Sequence, residues 1–225
     1  MNQEKQMNMQ NKIYLAALLH DIGKFFQRAD SRLLKEILKG NSHLENIANL
    51  ICPEKEPGKW GYQHVFWTYQ FFTENTDIFD SIHENGKPIF KVNVYEGRND
   101  DNLVNLSIFH HKPTTMMQAM VQLADWWSSG MERNEKNAEL KDDIIYGTYK
   151  YKKVRLSNIF NSIDIEKAEQ RKTVNHLYSL SKLGIDDACF PKASPDNDLS
   201  KIDKKAFEED YSTLWKDFIS EFKTI

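Results

Sequence analysis

The sequence has no apolar run long enough to cross a membrane. No stretch of the 225 residues approaches the roughly 20 apolar residues that a transmembrane helix needs. The first eleven residues, MNQEKQMNMQN, are polar and contain no apolar segment of the kind found in signal peptides. These absences predict a globular protein of the cytoplasm.

Cysteine and excess charge are also scarce. The two cysteines, Cys52 and Cys189, have no CxxC spacing, which excludes a zinc ribbon or a disulfide scaffold and is typical of a reducing compartment. The formal net charge of -3 provides no overall positive field. A nucleic acid would therefore have to be bound locally, by a metal site or by partner proteins.

What the sequence does contain is an imidazole and a carboxylate side by side in the apolar segment LAALLHDIGKFFQRAD. Apolar residues recur there near the helical period, which predicts one helix packed against the core: Leu15, Leu18, Leu19, Ile22, Phe25 and Phe26. Adjacent side chains on a helix point about 100° apart. His20 and Asp21 are therefore better placed to share a metal ion than to bond each other, and a core-satisfied or solvated pair is the alternative.

The rest of the first 130 residues predicts mostly helices with short connections. A short helix is expected from Asp30 or Ser31 to Gly40, and CPEKEPGKWG is expected to be a loop. The other expected elements are a helix ending at Cys52-Pro53, an aromatic helix over 62–72, a hairpin between Gly86 and Gly97 and a helix up to Pro113. The segment 114–133 predicts a core helix that is closed by Gly130 and carries Met117, Met120, Val121, Ala124 and Trp127 or Ser128 inward.

These helices carry further metal-binding residue types: His64, His110, His111 and Asp125. Buried imidazoles and carboxylates cost several kcal/mol unless they are paired or bound to metal, so convergence on one site is the simplest explanation. Each residue also has an ordinary interpretation. His64 could be a core histidine, one of the two adjacent histidines could lie at the surface, and Asp125 could pair with Arg133.

The motifs LLHDIGKFFQRAD, HHKP and LADWWSSGMER resemble the HD superfamily of metal-dependent phosphohydrolases. More narrowly, they are similar to the HD nuclease domain at the start of the large signature subunit of type III-A (Csm-type) CRISPR effector complexes. The later segments LSNIFNSI, NHLYSLSKLGIDDACFP and YSTLWKDFISEF extend the resemblance over nearly the whole chain.

The resemblance implies a mainly α fold that cleaves single-stranded DNA with divalent transition metals. An HD domain is expected over residues 1–131, a polar linker over 132–153, and a smaller α+β segment over 154–225 that begins a palm domain absent from this chain. The implied partners are other subunits of an antiviral CRISPR complex with its guide RNA. The sequence contains no GGDD motif, so synthesis of cyclic oligoadenylates is not assigned.

By motif matching, His20 and Asp21 are the active-site doublet, and Lys24 is a catalytic candidate for contact with a phosphate, with a solvated lysine as the alternative. The predicted metal ligands are His20, Asp21, His64, His110, His111 and Asp125. Ordinary HD enzymes have a metal-binding histidine upstream of the doublet, and residues 1–19 contain none. The resemblance is to a family whose HD domain is circularly permuted, which implies that His64 fills that role. Mixed imidazole and carboxylate ligands favour one or two manganese, nickel or cobalt ions over magnesium.

Two other functions stay open at this stage. One is a free-standing HD phosphohydrolase that acts on nucleotides, and the other is a non-catalytic HD scaffold that seats neighbouring subunits. The native metal and the choice between endonuclease and exonuclease cutting are also open. Trp60, Trp67, Trp126 and Trp127 are candidates for stacking on bases.

Beyond the HD part, VRLSNIF and NHLYSLSKL alternate like a pair of strands, and YKYKKVR is expected to be a solvated basic stretch. The segment YSTLWKDFISEF predicts a helix with one apolar face that should dock on another surface. The residues of that face are Tyr211, Leu214, Trp215, Phe218 and Phe222.

Overall fold

A computed structural model of the chain describes residues 5–56, 59–79, 82–84, 87–88, 100–128, 176–178, 180–182, 190–193 and 204–224. Two compact units are present, one comprising Met1–Asn134 with Ile225 and the other Glu135–Thr224. The described elements are mostly helices, which confirms the predicted mainly α class. Among the described residues, no helix is long and apolar enough to cross a membrane.

The first unit consists of eight helices and five short strands within its described part. The helices are α1 (Met9–Leu19), α2 (Ile22–Ala29), α3 (Leu34–Leu38), α4 (Ser42–Ile51), α5 (His64–Glu74), α6 (Thr76–Phe79), α7 (Leu103–Ile108) and α8 (Met116–Ser128). The strands are β1 (Lys5–Gln6), β2 (Glu54–Glu56), β3 (Lys59–Trp60), β4 (Ile82–Glu84) and β5 (Lys87–Pro88). Strand β4 pairs with β1 in parallel and with β5 antiparallel, and β2 pairs with β3 antiparallel.

The expected single helix through the His-Asp doublet is instead two helices, α1 and α2, with the doublet at their junction. His20 keeps helical torsions, but Asp21 has φ -102° and ψ 6°, so the chain turns there. The hydroxyl of Thr68 donates to the carbonyl of His20 at 3.0 Å and accepts from the N–H of Gly23 at 3.2 Å. This side chain from α5 thus satisfies backbone groups that a continuous helix would have paired internally.

Helix α5 forms the centre of the unit and packs most extensively on α2. It is buried along nearly its whole length, as its aromatic composition predicts. Its largest fully buried side chains are Phe66, Trp67, Phe71 and Phe72. Burial of four aromatic side chains makes this helix the main source of hydrophobic stabilisation in the unit.

Gly23 is the point where α2 touches α5. A Cβ atom at this position would lie 2.0 Å from the carbonyl oxygen of His64 and 2.4 Å from the backbone nitrogen of Thr68. No side chain fits in that space, because these neighbours are backbone atoms that cannot rotate away. The glycine therefore lets the start of α2 lie directly against the first turns of α5.

Helix α8 presents a different face to the core from the one its apolar pattern predicts. Its buried residues are Gln118, Val121 and Asp125, two of which are polar. Met120 is 46% exposed, and Ala124, Trp127 and Ser128 are also exposed, so the predicted core face was wrong at these positions. Val121 is buried as predicted, and Met117 is half-buried. Other large side chains of this helix are exposed as well: Met116, Leu123 and Trp126. Similarly, Leu18 on α1 is 76% exposed and does not belong to the core.

Smaller differences concern the connections. The predicted loop CPEKEPGKWG contains the short hairpin β2–β3, and the helix predicted from Asp30 or Ser31 begins only at Leu34. The helix predicted up to Pro113 ends at Ile108, so the adjacent histidines His110 and His111 follow its last turn. Strands β4 and β5 pair antiparallel, whereas residues 85–86, 89–99 and Gly130 lie outside the described residues.

The described part of the second unit contains strands β6 (His176–Leu177) and β7 (Lys192–Ala193) and helix α9 (Lys204–Phe222). Strand β6, part of NHLYSLSKL, pairs antiparallel with β7, while VRLSNIF and YKYKKVR lie outside the described residues. Helix α9 forms where the apolar face predicts one, but Trp215 on that face is buried and Phe218 stacks on Phe222. The face is therefore only partly exposed.

Candidate metal centre

Four separate segments of the first unit bring the predicted ligands together. His20 ends α1 and Asp21 precedes α2, His64 is the first residue of α5, and Asp125 lies on the inward face of α8. The two adjacent histidines follow α7, where His110 is fully buried and His111 is partly buried. All six side chains meet in one cluster.

The distances within the cluster are those of groups that face a common point. His20 Nε2 lies 3.4 Å from Asp21 Oδ2 and 3.5 Å from Asp125 Oδ1. His64 Nε2 lies 3.2 Å from Asp21 Oδ1 and 3.3 Å from His111 Nε2. Asp21 thus stands between His20 and His64, with one carboxylate oxygen towards each.

The donors form two overlapping groups. One contains His64, His110 and His111, and the other contains His20, Asp21 and His110, with the donor atoms of each group within 4.8 Å of one another. Nitrogen and oxygen ligands that bind one ion at about 2.1 Å each are separated by comparable or smaller distances. Both groups therefore fit a divalent ion, and the shared His110 places the two positions side by side.

Hydrogen bonds orient the two most central imidazoles. His20 Nδ1 donates to the carbonyl of Ala17, and His110 Nδ1 donates to the carbonyl of Ser107, each at 2.6 Å. With Nδ1 protonated, Nε2 of each neutral ring presents a lone pair. Both Nε2 atoms are buried and have no hydrogen-bond partner within the described part of the chain. Such a backbone partner behind the ring is the usual arrangement for a histidine that binds metal.

Burial keeps three of the histidines neutral. It lowers the pKa of His110 well below its ordinary value, with a further contribution from the neighbouring His111 and His20. Burial also lowers the pKa of His64, and burial together with His64 lowers that of His111 to about 4. Neutral imidazole is the form that binds metal, so these rings need not lose a proton on binding at pH 7.

In the His20-Asp21 doublet, by contrast, the pKa shifts favour the charged form of each side chain. Burial alone would raise the pKa of Asp21, but the imidazoles of His20 and His64 and the ammonium group of Lys24, all close to its carboxylate, outweigh burial and hold the pKa far below its ordinary value. Burial would lower the pKa of His20, and the adjacent Asp21 outweighs it and raises that pKa. Asp21 is therefore a carboxylate at all physiological pH values, the form needed for a ligand.

A model of the HD domain family matches residues 4–129, which is more than half of the chain. The chain belongs to the HD domain family. It is also similar to the "CRISPR system single-strand-specific deoxyribonuclease Cas10/Csm1 (subtype III-A)" of Methanocaldococcus jannaschii, with 28% identity over 219 residues. This alignment covers 96% of the chain but 21% of the relative, so the chain spans about a fifth of that protein's length. No solved structure matches the chain.

Lys24 lies at the exposed side of this HD cluster. Its Nζ is 2.5 Å from Asp21 Oδ2, and its side chain is 49% exposed. The lysine is therefore paired with a predicted ligand and is not simply solvated. Its predicted contact with a phosphate stays a prediction.

The four tryptophans considered for base stacking differ in position. Trp67 is 1% exposed and donates through Nε1 to Asp30, so its ring is closed to a substrate. Trp60 is half-buried and donates to Asn49. Trp126 and Trp127 are 57% and 69% exposed on α8, next to Asp125.

Three residues of the HD domain shape the cluster but were not predicted as site residues from the sequence. Gly23 allows the contact between α2 and α5, Thr68 bonds the backbone on both sides of Asp21, and Tyr62 stacks on His111 with ring centroids 3.8 Å apart. Gly23 had a signal, because a glycine inside an apolar helical pattern indicates close packing. Thr68 and Tyr62 had none, since their roles depend on tertiary contacts.

Proposed function

We propose that this chain is a metal-dependent HD nuclease that cleaves single-stranded DNA as part of a type III-A CRISPR antiviral effector complex. The observation that carries the proposal is the cluster of six donors, in which His20 Nε2 and His110 Nε2 are buried without a hydrogen-bond partner within the described residues. Buried nitrogen lone pairs of this kind are costly unless a cation or a proton donor satisfies them.

Transition metals suit this donor set better than magnesium or calcium. Four imidazoles and two carboxylates supply more nitrogen than oxygen, and imidazole favours manganese, cobalt, nickel, iron or zinc. His20, Asp21 and His110 would hold one ion, and His64 and His111 would hold a second ion or, together with His110, an alternative position for the first, because the lone pair of His110 Nε2 binds one ion at a time. When bound, such ions would lower the pKa of a coordinated water and offset the negative charge that develops on a phosphodiester.

The remaining residues would orient the ligands and the substrate. The carbonyls of Ala17 and Ser107 hold the rings of His20 and His110 with Nε2 towards the cluster. Asp125, on α8, places its Oδ1 3.5 Å from His20 Nε2, where it would help to hold the same ion. Lys24 would exchange its partner Asp21 for a phosphate oxygen of the bound strand, because its ammonium group reaches the solvent.

The substrate and partners rest on similarity. The Methanocaldococcus relative is described as a single-strand-specific deoxyribonuclease of a CRISPR system. Both the motif resemblance and this relative support single-stranded DNA as substrate, and other CRISPR subunits with guide RNA as partners. The domain limits of 1–131, 132–153 and 154–225 remain part of the proposal.

A metal titration on an end-labelled single strand tests the proposal. The full chain would be assayed with Mn²⁺, Co²⁺, Ni²⁺ and Mg²⁺, beside the double variant His20→Ala/Asp21→Ala. The matched control is His43→Ala/Asp77→Ala, which removes the same residue types from exposed positions on α4 and α6. We expect cleavage with transition metals in the wild type and the control, and loss of at least a hundredfold in the active-site variant.

Other results would favour the other functions. Turnover of nucleotides in the absence of strand cleavage would indicate a free-standing HD phosphohydrolase. Binding of metal without hydrolysis of any phosphoester would indicate a scaffold. Equal cleavage by the wild type and the active-site variant would contradict the proposal.

A further inference from the structure

Tyr62 has a backbone conformation that side chains of its type rarely adopt. Among the described residues it is the one non-glycine residue with positive φ, at 47°. The left-handed region is unfavourable for a residue with a Cβ atom, because that atom comes close to the following carbonyl oxygen. Residues of this kind persist where surrounding contacts maintain them, and they are frequent at functional sites.

The ring of Tyr62 lies over the predicted ligands. It stacks on His111 with centroids 3.8 Å apart and planes at 23°, and its edge-to-face contact with His64 has centroids 6.2 Å apart. Tyr62 is nevertheless 49% exposed. One side of the ring is therefore occupied by the histidine, and the exposed surface lies on the remainder of the ring at the rim of the cluster.

We infer that Tyr62 is a base-stacking residue, on which an unpaired base of the substrate strand packs while the adjoining phosphodiester lies at the donor cluster. This inference rests on the proposed function. An aromatic ring next to the reacting position holds a single strand irrespective of its sequence, since every base has a flat face. A base-paired duplex would not present such a face, so the residue would also favour single strands.

Positive charge accompanies the ring. Lys112 follows His111 directly, and its Nζ donates to the carbonyl of Asn49 at 3.0 Å on the exposed surface. The side chain of Lys55 passes over Gly61, with Cε 2.8 Å from the position of a Cβ atom there. Both lysines thus lie close in the chain or in space to the turn that carries Tyr62, where they can bind phosphates on either side of the stacked base.

Two substitutions separate the ring from the backbone. Tyr62→Asn removes the ring and keeps a residue that tolerates positive φ, whereas Tyr62→Phe keeps the ring and removes the hydroxyl. The control is Tyr14→Asn, because Tyr14 is 63% exposed on α1 and contacts none of the predicted ligands in the described structure. Each variant of the full chain would be assayed with saturating Mn²⁺.

Two substrates then reveal whether a base is involved. One is a thymidine 12-mer, and the other is a strand of the same length in which tetrahydrofuran replaces every base. We expect Tyr62→Asn to raise KM for the thymidine strand about tenfold relative to Tyr62→Phe, whereas these two variants should have equal KM values for the abasic strand. Because the ring also contacts His111, any fall in the kcat of Tyr62→Asn should be the same on both strands. Tyr62→Phe and Tyr14→Asn should match the wild type on both strands.

Three results would overturn the inference. If Tyr62→Asn changed KM by the same factor on both strands, whatever its kcat, the ring would serve only to hold His111. If Tyr62→Asn matched the wild type on both strands, the ring would have no part in binding. If the wild type cut neither strand, the proposed function would fail first and the inference with it, a result distinct from the other two.

Discussion

The two sides of the donor cluster are built differently. On one side, α2 and α5 are in direct backbone contact through Gly23, and the hydroxyl of Thr68 joins them. On the other side, the half-exposed ring of Tyr62, at the turn after β3, stacks on His111. The packed side therefore fixes the positions of His20, Asp21 and His64, while the open side is accessible to a substrate.

The largest expected effect comes from filling the packed side. Gly23→Ala should lower the free energy of unfolding by about 3 kcal/mol or more, because its Cβ would overlap backbone atoms of α5. Urea unfolding measures the loss. The matched control is Gly61→Ala, whose Cβ meets only the movable end of the Lys55 side chain, and its effect should stay within about 0.5 kcal/mol. Equal losses in the two variants would show that the contact between α2 and α5 is not tight.

The next largest effect is expected at Thr68, where two substitutions distinguish a loss of stability from a displacement of the predicted metal ligands. Thr68→Val leaves the carbonyl of His20 and the N–H of Gly23 without their partner, which should cost about 1–3 kcal/mol of stability. It should also weaken Mn²⁺ binding about tenfold, since the backbone of the doublet is no longer held. Thr68→Ser keeps the hydroxyl and should keep the Mn²⁺ affinity measured by calorimetry. Equal affinities for Val and Ser would contradict this role.

A smaller effect on stability is expected at Asp30, which follows the last residue of α2. Burial alone would raise the pKa of Asp30, but hydrogen bonds from Arg32 and Trp67 outweigh it and hold the pKa below its ordinary value. The lowered pKa stabilises the fold above the ordinary value near 3.8, and this stabilisation is lost as the pH falls through the lower folded value. Asp30→Asn should therefore lose about 1 kcal/mol at pH 7 and progressively less below about pH 4.

Urea unfolding at pH 7 and pH 3 measures that difference, with Mn²⁺ affinity as the control because Asp30 accepts hydrogen bonds from Arg32 and Trp67, which are not among the predicted ligands. A loss that is constant over this pH range would show that the carboxylate charge is not the cause.

The smallest effect concerns the reactivity of the Cys52 thiol, which reports whether the core beside α5 opens to reagents. Burial raises the pKa of the Cys52 thiol to about 12, and the side chain is fully buried. Because only the thiolate reacts, Cys52 should be inert to a disulfide reagent at pH 8 in the folded protein. Cys189→Ser removes the other thiol, so this variant should show no fast-reacting thiol until urea is added. Fast reaction in buffer would mean that the core opens readily.

Much of the fold and of the donor set could be predicted from the sequence, for physical reasons. Helical periodicity is a local property, and it placed α4, α5 and α9 near their observed positions. The donors His20, Asp21, His64 and Asp125 stood out because imidazoles and carboxylates in apolar segments require a partner.

The remainder depended on contacts between distant segments. The turn at Asp21 depends on a hydrogen bond of the Thr68 hydroxyl, which lies 47 residues later in the sequence. No local sequence pattern encodes such a bond. On α8 the apolar pattern was misleading, because the inward positions are occupied by Gln118 and Asp125 while Met120 lies outward. Polar residues that serve a site violate the rule that apolar residues mark the core.

The central claim is that the six donors bind transition-metal ions. Isothermal titration of the metal-stripped full chain with Mn²⁺ and Ni²⁺ tests it most directly, with His20→Ala/Asp21→Ala and the control His43→Ala/Asp77→Ala alongside. We predict one or two ions bound per chain by the wild type and the control, with binding at the doublet lost in the active-site variant. Identical titrations for the wild type and the active-site variant, or no binding by the wild type, would contradict the claim.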